Sequence, residues 1–263
     1  MRRILLTMLL ILAAAVVCAS ELKTGEFYFG KGKKAHLILP ENFKPGRHNK
    51  FLLFLPGRGA VAGSAAAFGS ADFALLRKLF SEKGYVIAVP SLESSWFNCK
   101  MEQEVDEMLD FLAEKLLLDL SRFHIMGGSM GGMSALVYTG RNFERVKAVF
   151  TMFPVSEMAE FSKGNYKESI KAAYGGYYAD KKALYESRSP MNYLPLLAKV
   201  PLFIIHGDAD WHISVEYSKV FYNTIRKFGG NQVKLTIVPK MTHHNKIVKG
   251  YEKEIVDFFE KYN

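Results

Sequence analysis

Six residues, Gly127-Gly128-Ser129-Met130-Gly131-Gly132, constrain this chain more than any others, because they lie directly between the apolar run Phe123-His124-Ile125-Met126 and a helix-like stretch. Glycines on both sides let a strand turn sharply into a helix, which lifts the serine hydroxyl above the end of a sheet. A strand–turn–helix junction of this kind requires a sheet whose strands end together and feed helices. The same turn aims the N–H of Met130 at whatever the serine attacks, so the segment reads as a nucleophile elbow with Ser129 as the attacking group.

The rest of the chain supplies such a sheet. Apolar runs at 27–29, 35–39, 51–55, 85–89, 123–126, 146–150, 202–205 and 233–238 read as strands, and helical spacing is predicted over 72–83, 102–118, 215–228 and 247–259. The first two runs flank Gly30-Lys31-Gly32 and predict an antiparallel hairpin at the sheet edge. The later alternation predicts an α/β fold, a mostly parallel central sheet with helices on both faces. Residues 154–195 break the alternation. They are rich in aromatics and lysine, contain Tyr174-Gly175-Gly176-Tyr177-Tyr178, and are the place for a small cap.

An activated serine needs a base and an acid, which for this type of elbow follow in the order Ser, acid, His at the ends of later strands. The strand at 202–205 runs into His206-Gly207-Asp208-Ala209-Asp210, and we take Asp210 as the acid. The strand at 233–238 runs into Pro239-Lys240-Met241-Thr242-His243-His244, which contains the base. Trp211 and His212 directly follow the acid and are candidate pocket residues.

Taken together, these segments resemble the α/β-hydrolase superfamily, and within it the catalytic domain of prolyl-oligopeptidase-like serine esterases and peptidases. In that family's H-G-x-x-D pattern the acid is the aspartate four residues after the histidine. The resemblance thus implies Asp210 as acid and Asp208 as a loop former. Insertions at the place of 154–195 commonly cover the pocket in this superfamily, so the resemblance also implies Phe153, just before the segment, and Tyr174, Tyr177 and Tyr178 within it as candidate substrate contacts. The family's histidine loop usually ends in Gly-His, whereas here Thr242 precedes His243. Loop length favours His243 as the base and leaves His244 as the alternative. Pro56-Gly57-Arg58-Gly59-Ala60 resembles the family's H-G-x-G turn with proline in place of histidine, which implies Arg58 N–H as the second oxyanion donor beside Met130 N–H, with Gly59 as fallback.

Met1-Arg2-Arg3 followed by an apolar stretch from Ile4 to Val17 predicts a signal peptide over 1–19, and so a secreted or periplasmic protein. The stretch is short for the roughly 20 apolar residues of a membrane span. A single catalytic domain is expected over 20–263. The formal net charge of +9 becomes +7 without Arg2 and Arg3, but the charges are dispersed and have no dense basic run interleaved with aromatics, so nucleic acid is not expected as a partner. Only Cys99 follows the leader, which leaves no intramolecular disulfide framework.

No cofactor and no metal are expected. His243-His244 lacks the i, i+4 spacing of two imidazoles on one helix face, Gly57-Arg58-Gly59 lacks the Walker lysine, and no dinucleotide fingerprint follows the first strand. The leading expectation is an exported serine hydrolase that cleaves a small-molecule or polysaccharide-linked carboxylic ester. The alternatives are a peptidase acting on short peptides and a non-catalytic binding protein. The roughly 30 residues between leader and first core strand are too few for the propeller of larger family peptidases, which favours the ester.

Overall fold

The computed structural model describes residues 22–45, 49–59 and 67–263. The expected leader at 1–19 and the Ala60 end of the oxyanion turn lie outside the described residues.

Eight strands form one sheet: β1 (Gly25–Phe29), β2 (Lys33–Ile38), β3 (Lys50–Leu55), β4 (Tyr85–Pro90), β5 (Phe123–Gly128), β6 (Val146–Met152), β7 (Leu202–Gly207) and β8 (Val233–Val238). Their order is β1-β2-β4-β3-β5-β6-β7-β8. The β1–β2 and β2–β4 pairs are antiparallel and every other pair is parallel, so the hairpin occupies one edge as its glycine turn requires. β4, β5 and β7 are buried along their whole length, which explains their unbroken apolar sequence.

Alternate residues of β3 serve opposite faces. Phe51, Leu53 and Leu55 join the core formed with α2 (Cys99–Leu116), α3 (Met130–Arg141) and α6 (Glu216–Lys227). Leu52 and Phe54 join the core formed with α1 (Ala74–Glu82) and α7 (Glu252–Lys261). The long α2 shows how local chemistry sets a boundary. Asn98 accepts from Met101 N–H at 3.0 Å as the N-cap, which starts the helix three residues before the predicted position. Leu117, at φ 53°, ends it.

The C-terminal helix is shorter than predicted. A turn of 3-10 helix at Asn245–Val248 is separated from α7 by extended Lys249 and by Gly250 at φ 87°, which interrupts the apolar spacing that suggested one helix over 247–259. The 154–195 segment is helical, with α4 (Lys167–Tyr174), α5 (Tyr178–Ser187) and short turns at Met158–Phe161 and Pro190–Tyr193. It is tied down at several points. Buried Arg188 bonds Glu102 of α2 at 2.7 Å, and Trp96 Nε1 donates to Ser169 at 2.8 Å. The Tyr174 hydroxyl donates to Trp96 C=O at 2.8 Å, and the Ser156 hydroxyl to Tyr217 C=O at 2.9 Å. No helix among the described residues is long and apolar enough to cross a membrane.

Candidate active site

The parallel strands end on one side of the sheet, and the loops that leave them build the site. β5 ends in the elbow. Ser129 has φ 59° and ψ −124°, the backbone of the first central residue of a type II′ turn, where glycine is favoured. Ser129 N–H is held by Met152 C=O of β6 at 2.9 Å, and α3 starts at Met130. Gly131 in its first turn lies against the end of β3. A Cβ there would stand 1.9 Å from Leu55 C=O and 2.5 Å from Pro56 C=O, so only glycine permits this approach. The contact brings the Gly57-Arg58 backbone beside the elbow.

β7 and β8 supply the other two groups. His243 Nδ1 is 2.6 Å from Asp210 Oδ2, and its Nε2 is 3.0 Å from Ser129 Oγ. With Nδ1 protonated, the ring donates to the carboxylate and accepts from the serine hydroxyl. The Asp210 side chain is fully buried, and its Oδ1 accepts from the N–H groups of His212 and Ile213, each at 2.9 Å. Buried His206 stands with Nε2 3.4 Å from Asp210 Oδ2 and 2.9 Å from Ile213 C=O, while its Nδ1 faces the Ser218 hydroxyl at 2.7 Å. Burial alone would push the Asp210 carboxyl up. The hydrogen bonds from His206, His243 and Ile213 N–H outweigh that and hold it well below the usual carboxylate range.

Asp208 sits apart from this chain of bonds and has a different task. Its Oδ1 accepts from Lys240 N–H at 2.6 Å, and Ala209 N–H reaches Met241 C=O at 3.1 Å, so the acid loop and the histidine loop are joined by backbone. Gly207 makes this possible, since a Cβ there would lie 2.0 Å from Met241 C=O. His244 turns away. It is exposed, accepts from Lys246 N–H at 3.0 Å and faces Asp72 at 3.7 Å.

On the oxyanion side, Gly59 N–H donates to Glu93 C=O at 2.9 Å and is therefore engaged. The amides of Arg58 and of Met130, first residue of α3, donate to no acceptor among the described residues. Two such donors beside an activated serine can hold the charge of a tetrahedral oxyanion.

Ser129 opens into a cavity of about 490 Å³ lined by Gly57, Arg58, Trp96, Phe153, Phe161, Tyr166 and His243, among others. Phe153, at φ 38°, rests its ring 4.2 Å from that of His243. Of the expected substrate contacts, Tyr177 is not in this cavity: its hydroxyl bonds Glu168 at 2.9 Å and its ring lies under Lys167 and Lys171. Tyr174 is buried and Tyr178 bonds Glu186, so aromatic richness of the segment did not identify the residues facing the serine. Trp211 is 71% exposed and stacks on His212 at 3.6 Å, outside the lining. His212 stands between Tyr166, bonded at 2.7 Å, and His243, with ring centroids 5.1 Å apart. Burial, then the charge of His243, lowers its pKa. Trp96, Phe161 and Tyr166 escaped the sequence reading. Trp96 was open to discovery, because it lies in the loop after β4, whose carboxyl end faces the site.

A family model for the prolyl oligopeptidase family matches residues 101–263, more than half of the chain. The chain belongs to the prolyl oligopeptidase family. Several solved structures share its fold. An S-formylglutathione hydrolase from Agrobacterium tumefaciens is 17% identical with a TM-score of 0.72, over 92% of this chain and 98% of that one. Est1E from Butyrivibrio proteoclasticus is 16% identical with a TM-score of 0.65, over 91% and 97%. An acylaminoacyl peptidase from Pyrococcus horikoshii is 19% identical with a TM-score of 0.71, over 92% of this chain and only 42% of its own. No curated protein gives a significant sequence match. This member of the prolyl oligopeptidase family is a serine hydrolase of the α/β-hydrolase type.

Proposed function

We propose that the protein is an exported carboxylic-ester hydrolase working through an acyl-enzyme. The observation that carries this reading is the unbroken chain Ser129–His243–Asp210, with contacts of 3.0 and 2.6 Å, opening into a cavity lined by aromatic and polar side chains. Ser129 Oγ attacks the ester carbonyl carbon while His243 Nε2 takes its proton. The tetrahedral oxyanion is held by the N–H groups of Arg58 and Met130. Its collapse breaks the C–O bond to the alcohol, which leaves with the proton from His243. Water, deprotonated by the same imidazole, then attacks the acyl-serine and releases the acid. Asp210 fixes the tautomer of His243 and stabilises its charged form.

The preference for esters is supported by fold likeness over nearly the full length of Est1E and the S-formylglutathione hydrolase. Family membership supports the second reading, a peptidase. Hydrolysis of nitrophenyl esters from acetate to octanoate, beside proline-containing peptide anilides, tests both with wild type and Ser129→Ala. Ester turnover lost in the variant supports the ester reading, anilide cleavage without ester turnover overturns it, and silence on both returns the binding-protein alternative. Export follows from the leader-like 1–19 and is tested by the N-terminus of protein recovered outside the cytoplasm; a mature chain still starting at Met1 would refute it.

A further inference from the structure

We propose that the Arg58 side chain is an anion-reading element of the Ser129 cavity, so that the preferred substrates are esters carrying a carboxylate on their acyl or alcohol part. This rests on the ester reading and narrows it.

Arg58 lines the cavity, and its guanidinium lies over the ring of Tyr166, another lining residue, 4.9 Å from the centroid. Tyr166 is itself fixed. Its hydroxyl meets His212 Nδ1 at 2.7 Å, and its ring packs on Trp96 and Phe161, each at 5.5 Å. A guanidinium laid on an aromatic face keeps its edge N–H donors available, and their planar fork matches both oxygens of a carboxylate. No carboxylate among the described residues pairs with Arg58, whose contact is the Tyr166 ring. Asp72, the carboxylate of the lining, is already faced by Lys249 at 3.6 Å and His244 at 3.7 Å. Arg58 is exposed, so its charge meets an entering carboxylate in partly solvated space, and the bidentate geometry rather than a dry surrounding gives the contact its selectivity. The cavity thus pairs a reacting serine with an oriented cation that no carboxylate among the described residues neutralises.

The test compares kcat/KM for mono-4-nitrophenyl adipate against 4-nitrophenyl hexanoate, which places the carboxylate on the acyl part. A second pair, 3-acetoxybenzoate against phenyl acetate, places it on the alcohol part. Wild type is expected to favour at least one carboxylate ester by about tenfold or more, the scale of a charge-assisted bidentate contact. The ratio should collapse toward one in Arg58→Gln and survive in part in Arg58→Lys. A wild type without preference, or a preference that persists in Arg58→Gln, overturns the proposal. So does a common loss on both members of a pair with the ratio unchanged, which would mean that the residue only shapes its loop. If no ester is turned over, the ester reading fails, and calorimetric binding to Ser129→Ala decides the subsite separately. Monomethyl adipate or 3-acetoxybenzoate must then bind more tightly than dimethyl adipate or phenyl acetate, and equal or weaker binding overturns the inference.

Discussion

The backbone of Ser129 stores strain that can be measured without any substrate. Its φ of 59° and ψ of −124° suit glycine, and holding a Cβ-bearing residue there costs about 1–3 kcal/mol. Ser129→Gly should relieve that cost, while Ser129→Ala keeps the Cβ and the strain. Both variants lack the hydroxyl and its bond to His243, so the difference between them isolates the backbone. Against the relief stands the greater freedom of glycine in the unfolded chain, about 0.5–1 kcal/mol. The net expectation is that Ser129→Gly is more stable than Ser129→Ala by about 1 kcal/mol, or roughly 3 °C in Tm for a domain of this size. Urea unfolding followed by tryptophan fluorescence, with thermal melts alongside, reads the difference. Equal stability, or a less stable glycine variant, would refute the argument that the elbow is held against its own preference.

Other consequences are equally direct. His243→Ala should lower ester turnover by at least about 10³-fold, the scale of losing a triad base, whereas His244→Ala should cost less than tenfold; the reverse order would move the base. Glu102 accepts from Arg141 and Arg188, each at 2.7 Å, and Arg188 is fully buried, so Glu102→Ala should cost about 3–5 kcal/mol by stranding a buried charge; a loss under 1 kcal/mol by denaturant titration would contradict this. Burial against Tyr85 and Phe259 pushes the His124 pKa down to about 3, so the unfolded chain takes up a proton that the folded state resists. The stability tied to neutral His124 is complete above the ordinary histidine pKa and is lost as pH falls toward 3, by about 1.4 kcal/mol per pH unit. His124→Leu should flatten the decline of Tm between pH 6.5 and 4, and parallel profiles would exclude the effect.

Most strands were legible because they are short apolar runs buried on one or both faces, and the Gly30–Gly32 turn announced the antiparallel edge. Ser129 and Asp210 were legible because each stands just past a strand end beside glycines that close backbone contact demands, whereas the histidine loop, without its usual glycine, left His243 and His244 to be separated by their bonds. Helix limits were less so. The Asn98 cap and the Gly250 interruption are single-residue events that apolar spacing does not register. The cavity wall was the least legible part. Tyr166 and Tyr177 are both tyrosines of one lysine-rich segment, yet one faces Ser129 and the other Glu168, a choice made by how α4 packs against the 91–98 loop.

That packing has a consequence for turnover. A lid that opens and shuts needs a hinge and a weak seam, but the helical segment over this cavity is secured by a buried Arg188–Glu102 pair and by polar bonds at Trp96, Ser169 and Tyr217. Bonds of this kind predict a segment that keeps its place while Ser129 reacts. The rate of turnover should accordingly follow bond making and breaking, and kcat should stay level as solvent viscosity is raised.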